Sequence, residues 1–252
     1  MTSTGAASRQ PAESQADLVA TTASAVRSPV TTMLTYLELL RDGAYGALPP
    51  ESLGPLDVIA ASARDVLRLH ERAVMLSAIA AGRVAFHVQP VDVAELVQAA
   101  VLEVRSLVAE RRHDLEVAVA PELPLVACDP VQIHWVIVEL IANAARFTAV
   151  GGNLRLRVAL DQQLDRVRFT VADNGLGMPA AAAEALLARL RGDGWRGDEG
   201  IGGGLGLAFA SAVVRLHGQL LEVETTLGLG TSVWFTLPAA PGTGGTGGEG
   251  GI

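Results

Sequence analysis

Val171-Ala172-Asp173-Asn174-Gly175-Leu176-Gly177-Met178 is the stretch that decides the fold of this chain. An alternating run rich in β-branched residues, 166–171, leads into it and predicts a β-strand. The strand delivers one carboxylate, Asp173, and two glycines follow it. Glycine has no Cβ and adopts positive φ, so the turn lets backbone lie close to a ligand. The carboxylate can accept a hydrogen bond from an amino group, which favours an adenine edge over a phosphate as its partner.

A helix with a marked start is predicted before this stretch. Asp129 is a candidate N-cap, Pro130 takes the first helical position and Gln132 follows the cap by three residues, as in a capping box. The apolar-rich run 133–147 continues the helix, and the glycine pair 151–152 is expected to stop it. The sequence therefore predicts a helix that ends close to the strand.

Two polar residues on this helix, Glu139 and Asn143, are four apart and project from one face, with Arg146 and Phe147 one turn further on. A carboxylate and an amide oxygen at this spacing suit a hydrated magnesium ion that bridges phosphates, because Mg²⁺ keeps waters and takes few protein ligands. A solvated polar stripe on an amphipathic helix is the alternative, and the spacing alone favours it.

A glycine-rich segment follows the strand and runs directly into a predicted helix, 205–216. Free N–H groups and the positive end of the helix dipole make such an N-terminus a phosphate site. A disordered linker is the alternative for the middle of the segment, but not for the part that abuts the apolar helix. Gly228-Leu229-Gly230-Thr231 and a strand at 232–237 come next. The glycines of the segment are Gly192, Gly194, Gly197, Gly200, Gly202, Gly203, Gly204 and Gly206.

The composition excludes several classes of function. Half of the 252 residues are hydrophobic, which is ample for a packed core, and the net charge of −8 argues against a nucleic-acid partner. All 19 basic residues are arginine, so the lysine of a Walker-type phosphate loop is missing. The single cysteine, Cys128, excludes an intramolecular disulfide, and the histidines lack metal-ligand spacing.

Targeting and membrane signals are also missing from the sequence. No apolar run approaches the length of a membrane span, and the polar N-terminus is not typical of a signal peptide. We therefore expect a soluble, cytoplasmic protein without membrane insertion. Residues 1–15 are small and polar and residues 240–252 are rich in glycine, and we expect both segments to be disordered.

The first third of the chain predicts a helical hairpin. Apolar positions in a helix at 17–42 alternate in steps of four and three, the seam of a helical bundle. A turn at 43–50 and a second helix at 51–81 complete the hairpin, which buries too little surface alone. A four-helix-bundle dimer is its expected completion. The seam positions are Val26, Val30, Met33, Leu37 and Leu40.

The chain thus divides into two predicted domains. The hairpin domain covers residues 16–82, and a linker at 83–90 joins it to the second domain, 91–239. There, 91–111 is predicted to be helical and 114–119 to be a strand. The predicted fold class is α+β.

Four motifs stand in an order and spacing typical of a family. The set begins with Glu139-x-x-x-Asn143 and Asp173-x-Gly175-x-Gly177-Met178. It ends with Gly202-x-Gly204-Leu205-Gly206-Leu207 and Gly228-x-Gly230-Thr231. These motifs resemble the nucleotide-binding boxes of the sensor histidine kinases, whose Bergerat-type ATP-binding fold is shared with type II topoisomerases and mismatch-repair ATPases. The resemblance covers residues 20–238.

The resemblance implies an antiparallel helical hairpin that forms a four-helix-bundle dimer, followed by an α/β sandwich of the histidine-kinase ATPase type. It also implies ATP and Mg²⁺ as ligands. Asp173 would contact the adenine amino group, Gly175 and Gly177 would pass close to the ring, and Asn143 with Glu139 would hold the metal. The remaining nucleotide-binding positions that it implies are Arg146, Phe147, Met178, Gly202, Gly204, Leu205, Gly206 and Thr231.

The hairpin departs from the family at the phosphoacceptor. The family box is His-Glu-x-Arg-Thr/Asn-Pro-Leu, whereas this chain reads Ser24-Ala25-Val26-Arg27-Ser28-Pro29-Val30. The arginine and the proline match, so the register is secure and Ser24 stands at the histidine position. A serine hydroxyl needs a neighbouring base, and Ala25 supplies none. His70 in the second helix falls near the apolar seam, where a structural histidine is the preferred interpretation.

Two departures concern the ATP site. Kinases usually place Asn where this chain has Glu139, and the water-activating ATPases of the superfamily place Glu there as a general base. Slow ATP hydrolysis and simple positioning of the metal are therefore equally favoured roles for Glu139. In the lid box, Leu187 and Leu190 replace the expected aromatic residues, although Arg189 is kept. The loss of these aromatic residues argues against tight closure of the lid.

The resemblance predicts a two-component signal-transduction protein that binds Mg·ATP without an acceptor histidine of its own. It would act as a pseudokinase and signalling partner, as a kinase in trans, or as a slow ATPase, in the protein-histidine kinase class. Its expected partners are a second copy of the chain and a response regulator or another histidine kinase. A non-catalytic adaptor that docks a receiver domain, and a phosphotransferase-like protein with a vestigial ATP domain, are the alternatives.

Overall fold

The computed structural model describes residues 10–191 and 205–241 of the chain. Two units divide between Ala85 and Phe86, inside the predicted linker. Helix α1 (Gln10–Arg41) and helix α2 (Pro50–Ala80) form the first unit. The ion pairs Arg27–Glu71 and Arg41–Asp57 join the two helices, which therefore run antiparallel as predicted. Within the described ranges no helix is both long enough and apolar enough to cross a bilayer.

Helix α1 begins earlier than the sequence predicted. It starts at Gln10, so residues 10–15, which were expected to be disordered, are helical. Proline is tolerated in the first turn of a helix, and the alanine, glutamate and glutamine that follow Pro11 are good helix formers. Ala240, in the C-terminal segment that was also expected to be disordered, is 4% exposed, and its N–H donates to the carbonyl of Leu125 at 2.7 Å. Residues 1–9 and 242–252 lie outside the described residues.

The seam of the hairpin is only partly covered within one chain. Val30 is buried, with 8% of its surface exposed, whereas Met33 on the same predicted seam is 57% exposed. Val58 and Ile59 of α2 are 67% and 53% exposed. A single hairpin therefore leaves much of its apolar surface open to solvent.

The second unit contains a five-stranded mixed sheet with the order β2-β4-β5-β7-β6, in which β2 runs parallel to β4 and the other neighbours are antiparallel. Strands β1 and β3 form a separate antiparallel pair. The α+β fold class is thereby confirmed. The elements are β1 (Gln89–Val91), α3 (Val93–Glu110), β2 (Asp114–Val119), β3 (Val126–Cys128), α4 (Pro130–Phe147), β4 (Asn153–Asp161), β5 (Arg166–Asp173), α5 (Ala180–Arg191), α6 (Leu205–Leu216), β6 (Glu222–Thr226) and β7 (Gly230–Pro238).

One face of the sheet is buried under helices. Buried side chains alternate with exposed ones along most of β4 and with partly exposed ones along most of β5, as the period of two in a strand requires. Helix α4 contacts β4 and β5 and lies between α3 and α6. Phe169 of β5 and Phe235 of β7, which are register partners, stack with their ring centroids 5.0 Å apart. This layer of helices on one face of the sheet encloses the core of the second unit.

The N-terminus of α4 is capped as predicted, but without the full capping box. The Oδ1 atom of Asp129 accepts hydrogen bonds from the N–H groups of Val131 and Gln132. The Gln132 side chain does not accept the reciprocal bond from the N–H of Asp129, and its Oε1 has no partner among the described residues. The N–H of Asp129 donates to Nε2 of His217 at 3.0 Å instead. A residue 88 positions away thus replaces the local partner.

Two predicted helix ends also differ from the structure. Helix α3 begins at Val93 rather than residue 91, because Asp92 caps it by accepting from the N–H groups of Ala94 and Glu95. Helix α4 ends at Phe147, before the glycine pair that was expected to stop it. Thr148 takes extended backbone there, and its Oγ1 donates to the carbonyl of Ala144.

Candidate functional site

The carboxylate of Asp173 is fixed by two backbone donors. Its Oδ1 accepts from the N–H of Gly175 at 2.9 Å and from the N–H of Thr231 at 3.2 Å. Thr231 is the register partner of Asp173 on β7, so the neighbouring strand supplies the second donor. Burial raises the pKa of Asp173 above its ordinary value of 3.8, although both hydrogen bonds act in the opposite direction. Oriented donors thus hold a carboxylate whose ionised form is disfavoured by burial.

The two glycines of the turn are required by the backbone that surrounds them. A Cβ on Gly175 would lie 2.5 Å from the carbonyl oxygen of Phe147. Gly177 has φ +58°, and a Cβ there would lie 2.0 Å from the carbonyl oxygen of Thr226. The sequence led us to expect these glycines because the backbone of the turn would lie close to a ligand. Close approach of the protein's own backbone is already enough to require them.

Hydrogen bonds tie the turn to α4 on one side and to the β6–β7 hairpin on the other. The N–H of Leu176 donates to the carbonyl of Phe147 at 3.2 Å, and the N–H of Gly228 donates to the carbonyl of Leu176 at 2.7 Å. The N–H of Met178 donates to Oγ1 of Thr225 at 3.0 Å. The C-terminus of α4, the Asp173 turn and the hairpin therefore form one connected end of the sheet.

Thr225 is a site residue that sequence reasoning missed. Its Oγ1 donates to the carbonyl of Gly230 at 3.1 Å and lies 3.0 Å from Oγ1 of Thr231, in addition to accepting from Met178. It thereby connects three residues of the predicted motifs, Met178, Gly230 and Thr231. The sequence carried no signal for it, because its contacts depend on the register of the β6–β7 hairpin, which pairs Thr225 with Thr231.

The polar face of α4 is not a solvated stripe. Glu139 is only 3% exposed, Asn143 is half-buried, and Arg146 and Phe147 are exposed. Glu139 and Arg146 each make polar interactions. A buried carboxylate requires such an interaction, since burying it alone is costly. The solvated-stripe interpretation is therefore wrong for Glu139.

The donor chemistry of this pair is compatible with magnesium. Glu139 offers a carboxylate and Asn143 an amide oxygen from the same face of α4. Mg²⁺ bound through phosphates uses one or two such ligands and keeps several waters. No group of three or more His, Cys, Asp or Glu side chains suited to a metal ion occurs in the described part of the chain.

Parts of the predicted site lie outside the described residues. These are Gly202 and Gly204, together with the side chains of Leu205 and Ser24. The backbone of Leu205 begins α6, and Gly206 lies in its first turn, as the sequence predicted. The backbone of Ser24 lies within α1.

The helix that precedes the glycine segment is fixed at its C-terminus. The carbonyl of Leu190 accepts from Oγ of Ser211 at 3.2 Å and from the guanidinium of Arg215 at 3.3 Å, both on α6. Arg191 pairs with Glu222 of β6 at 2.9 Å. Leu190 itself is 6% exposed, so its leucine fills a core position in the predicted lid box.

The second unit matches a known domain family. Residues 128–241 match the family described as Histidine kinase-, DNA gyrase B-, and HSP90-like ATPase. The matched range contains α4, the Asp173 turn, α6 and the β6–β7 hairpin.

Curated relatives extend the similarity beyond this domain. The circadian input-output histidine kinase CikA of Synechococcus elongatus is 27% identical over 229 residues, which cover 88% of this chain and 30% of CikA. The adaptive-response sensory kinase SasA of Synechococcus sp. strain JA-2-3B'a(2-13) is 31% identical over 220 residues, covering 84% of this chain and 56% of SasA. The chain therefore spans between 30% and 56% of the length of these relatives.

A solved structure matches over most of the chain. Full-length ShkA, crystallised in complex with AMPPNP, aligns with a TM-score of 0.65 and 26% identity. The alignment covers 89% of this chain and 47% of ShkA.

Replacing Gly177 with alanine tests the close approach in the turn. Gly228 is the matched control, since it shares a positive φ of +79° but a Cβ added there would meet no atom within 4 Å. We expect both changes to cost about 1–2 kcal/mol of backbone strain. Gly177→Ala should lose about 1–3 kcal/mol more from the clash with Thr226. Urea unfolding measures both, and equal losses would show that the turn has room for a side chain.

Asp173→Asn should stabilise the ligand-free fold at neutral pH. The amide oxygen can still accept from Gly175 and Thr231, while the buried charge is removed. Because the pKa of folded Asp173 is raised, the wild-type penalty is present above the folded pKa and disappears as the pH falls below 3.8. The gain in melting temperature should therefore be largest at neutral pH and shrink on acidification. A variant that is less stable than wild type at neutral pH would contradict this prediction.

Proposed function

The chain belongs to the sensor histidine kinase family, and from this premise we propose that it binds Mg·ATP but has no acceptor histidine at the usual position of its hairpin. It is a two-component histidine-kinase-type protein with an ATPase domain. Beyond membership of the family, we propose the ligand, the metal and the route of the phosphoryl group.

The geometry of Asp173 is the observation that carries the proposal. Two backbone N–H groups engage Oδ1, which orients the carboxylate before any ligand arrives. The adenine amino group would donate to the second oxygen, Oδ2. A preorganised acceptor loses little freedom on binding, so more of the hydrogen-bond energy contributes to affinity. The AMPPNP bound in the ShkA structure supports an adenine nucleotide as the ligand class.

The phosphates and the metal would be held at the helix termini. Asn143 would coordinate Mg²⁺, which neutralises phosphate charge when it is bound. Gly202, Gly204 and Gly206 would wrap the triphosphate at the N-terminus of α6, because the first N–H groups of a helix have no intrahelical partner and its dipole favours anions there. Glu139 would orient the metal or act as the base for a water molecule. Its burial supports a fixed position for the carboxylate.

The first unit supports a partner as the destination of the phosphoryl group. Ser24 and Ala25 stand where the resemblance places histidine and its neighbouring acid. A serine without a base is a poor nucleophile, so the phosphoryl group would pass to a partner protein or to water. The partner would be a response regulator or another histidine kinase. The uncovered apolar surface of the hairpin supports a dimer as the assembled form.

A non-catalytic dimeric adaptor is the second candidate function, and the replaced acceptor box favours it as much as it favours a pseudokinase. The adaptor needs no nucleotide, whereas the retained glycines and the oriented carboxylate of Asp173 favour nucleotide binding. The same retention counts against a phosphotransferase with a vestigial ATP domain. Nucleotide affinity therefore separates the candidates.

Calorimetric titration of the full chain with Mg·AMPPNP tests the nucleotide site. Asp173→Asn should weaken binding at least about tenfold, since a hydrogen bond to a charged group contributes about 1.5–3 kcal/mol. Asp165→Asn is the matched control, because it makes the same chemical change just before the opposite end of β5 and should leave affinity unchanged. Absence of binding by the wild-type chain would favour the adaptor.

Restoring the acceptor box tests the route of the phosphoryl group. Incubated with γ-labelled ATP, the wild-type chain should acquire no acid-labile label, while the double variant Ser24→His, Ala25→Glu should acquire one. An imidazole is a nucleophile near neutral pH, and the added carboxylate can take up its proton. The same variant with Asp173→Asn is the control and should stay unlabelled. Acid-labile label on the wild-type chain, for example on His70, would contradict the proposal.

A further inference from the structure

The second unit begins at a cluster of four residues, Phe86, His87, Asp129 and His217, which we call the anchor cluster. Phe86 and His87 are the first residues after the unit boundary, Asp129 is the N-cap of α4, and His217 directly follows α6. The ATP-site residues lie towards the opposite ends of these two helices. The cluster is thus separate from the site proposed above.

Both ring nitrogens of His217 are engaged. Nδ1 lies 2.9 Å from the carbonyl of Val213, to which it can only donate. Nε2 accepts from the N–H of Asp129 at 3.0 Å. These two bonds together require a neutral ring with its proton on Nδ1. The protonation state of His217 is therefore set by its partners.

Asp129 connects this ring to the start of the unit. While Oδ1 caps α4, Oδ2 accepts from the N–H of His87 at 3.0 Å. The ring of Phe86 packs edge-on against the ring of His217, with centroids 4.5 Å apart and an interplanar angle of 79°. One histidine therefore contacts or supports every other member of the anchor cluster.

A second proton on His217 is incompatible with this arrangement. It would turn Nε2 into a donor that faces the N–H of Asp129, so the hydrogen bond would be lost. The imidazolium would also attract the Asp129 carboxylate, and the carboxylate would then no longer serve His87. We propose that the anchor cluster is an acid-sensitive latch, in which protonation of His217 at Nε2 releases Phe86 and His87 from α4 and α6.

The groups around His217 agree with this direction. Burial lowers the pKa of His217 below 6.5, and it outweighs the bond to Val213 and the charge of Asp129, both of which raise the pKa. Burial raises the pKa of the Cys128 thiol, next to Asp129, to about 12, so this group stays neutral. His87 is the other titratable group of the cluster. Arg215, on the same helix as Val213, donates to the carbonyl of Leu190.

Protonation of His217 destabilises the folded state, because the hydrogen bonds of the anchor cluster require a neutral ring. The folded state binds the proton less tightly than the unfolded chain does. The stabilisation by the latch is therefore complete above pH 6.5 and is lost as the pH falls through the lower pKa of the folded state. Release occurs on the acidic side only.

Residue-resolved amide exchange of the full chain tests the latch between about pH 7.5 and about pH 5.5, which brackets the ordinary pKa of histidine. After correction for the intrinsic pH dependence, exchange of the His87 amide should rise by up to about tenfold per pH unit, since opening is coupled to one proton. Amides of β4 and β5 should stay protected, which distinguishes local release from unfolding.

Two variants assign the response to one ring. His217→Gln keeps an acceptor for Asp129 but cannot be protonated, so protection of the His87 amide should become independent of pH. His87→Gln is the matched control: it removes the other imidazole and keeps the backbone N–H, so the response should remain. A response that persists in His217→Gln, or that vanishes in His87→Gln, would overturn the proposal.

NMR of the wild-type imidazoles gives a test that does not depend on any variant folding. The nitrogen shifts of His217 should report the tautomer protonated on Nδ1 at neutral pH. Its titration should coincide with the loss of protection at His87. Titration at a different pH, or the opposite tautomer, would refute the latch.

Discussion

The site depends on one constraint, the pair of backbone hydrogen bonds that Oδ1 of Asp173 accepts from the next turn and from the neighbouring strand. The first bond requires a glycine turn, because a side chain on Gly175 would collide with the end of α4. The second requires the register that places Thr231 opposite Asp173. A shift by one residue would remove the donor and reverse the faces of β7, so core packing and the orientation of the carboxylate enforce each other.

Local signals in the sequence were enough for much of this fold. The N-cap Asp129 and the proline after it placed α4, and the apolar run that follows the glycines placed α6. Order and spacing of the motifs located the Asp173 turn. Strands β1, β3, β4 and β6 and helix α5 were not predicted. Strands β1 and β3 have three residues each, which carry little periodicity, and they pair with each other across a long stretch of chain. The nine residues of β4 do alternate in burial, so this strand was a missed signal.

Contacts that depend on tertiary structure could not be predicted from the sequence. Thr225 joins the site through a strand pairing, and His217 completes the cap of α4 from 88 residues away. The burial of Glu139 was also hidden, since a polar residue in an amphipathic pattern is normally assigned to the solvated face. In this chain α6 packs beside α4 and the sheet lies beneath it, so α4 has less solvent-exposed surface than its pattern indicates.

Helix α4 links these observations mechanically. It is 18 residues long, or about 27 Å at 1.5 Å per residue, and its core-facing side is packed along most of that length. Asp129, directly before its first residue, accepts a hydrogen bond from the N–H of His87 at the start of the second unit. The carbonyl of its last residue, Phe147, accepts one from the N–H of Leu176 in the Asp173 turn. A packed helix moves as a rigid body rather than bending, because its interior hydrogen bonds and close packing resist local deformation. A displacement at the anchor cluster would therefore reach Asn143 and the Asp173 turn together, or would break the cluster first.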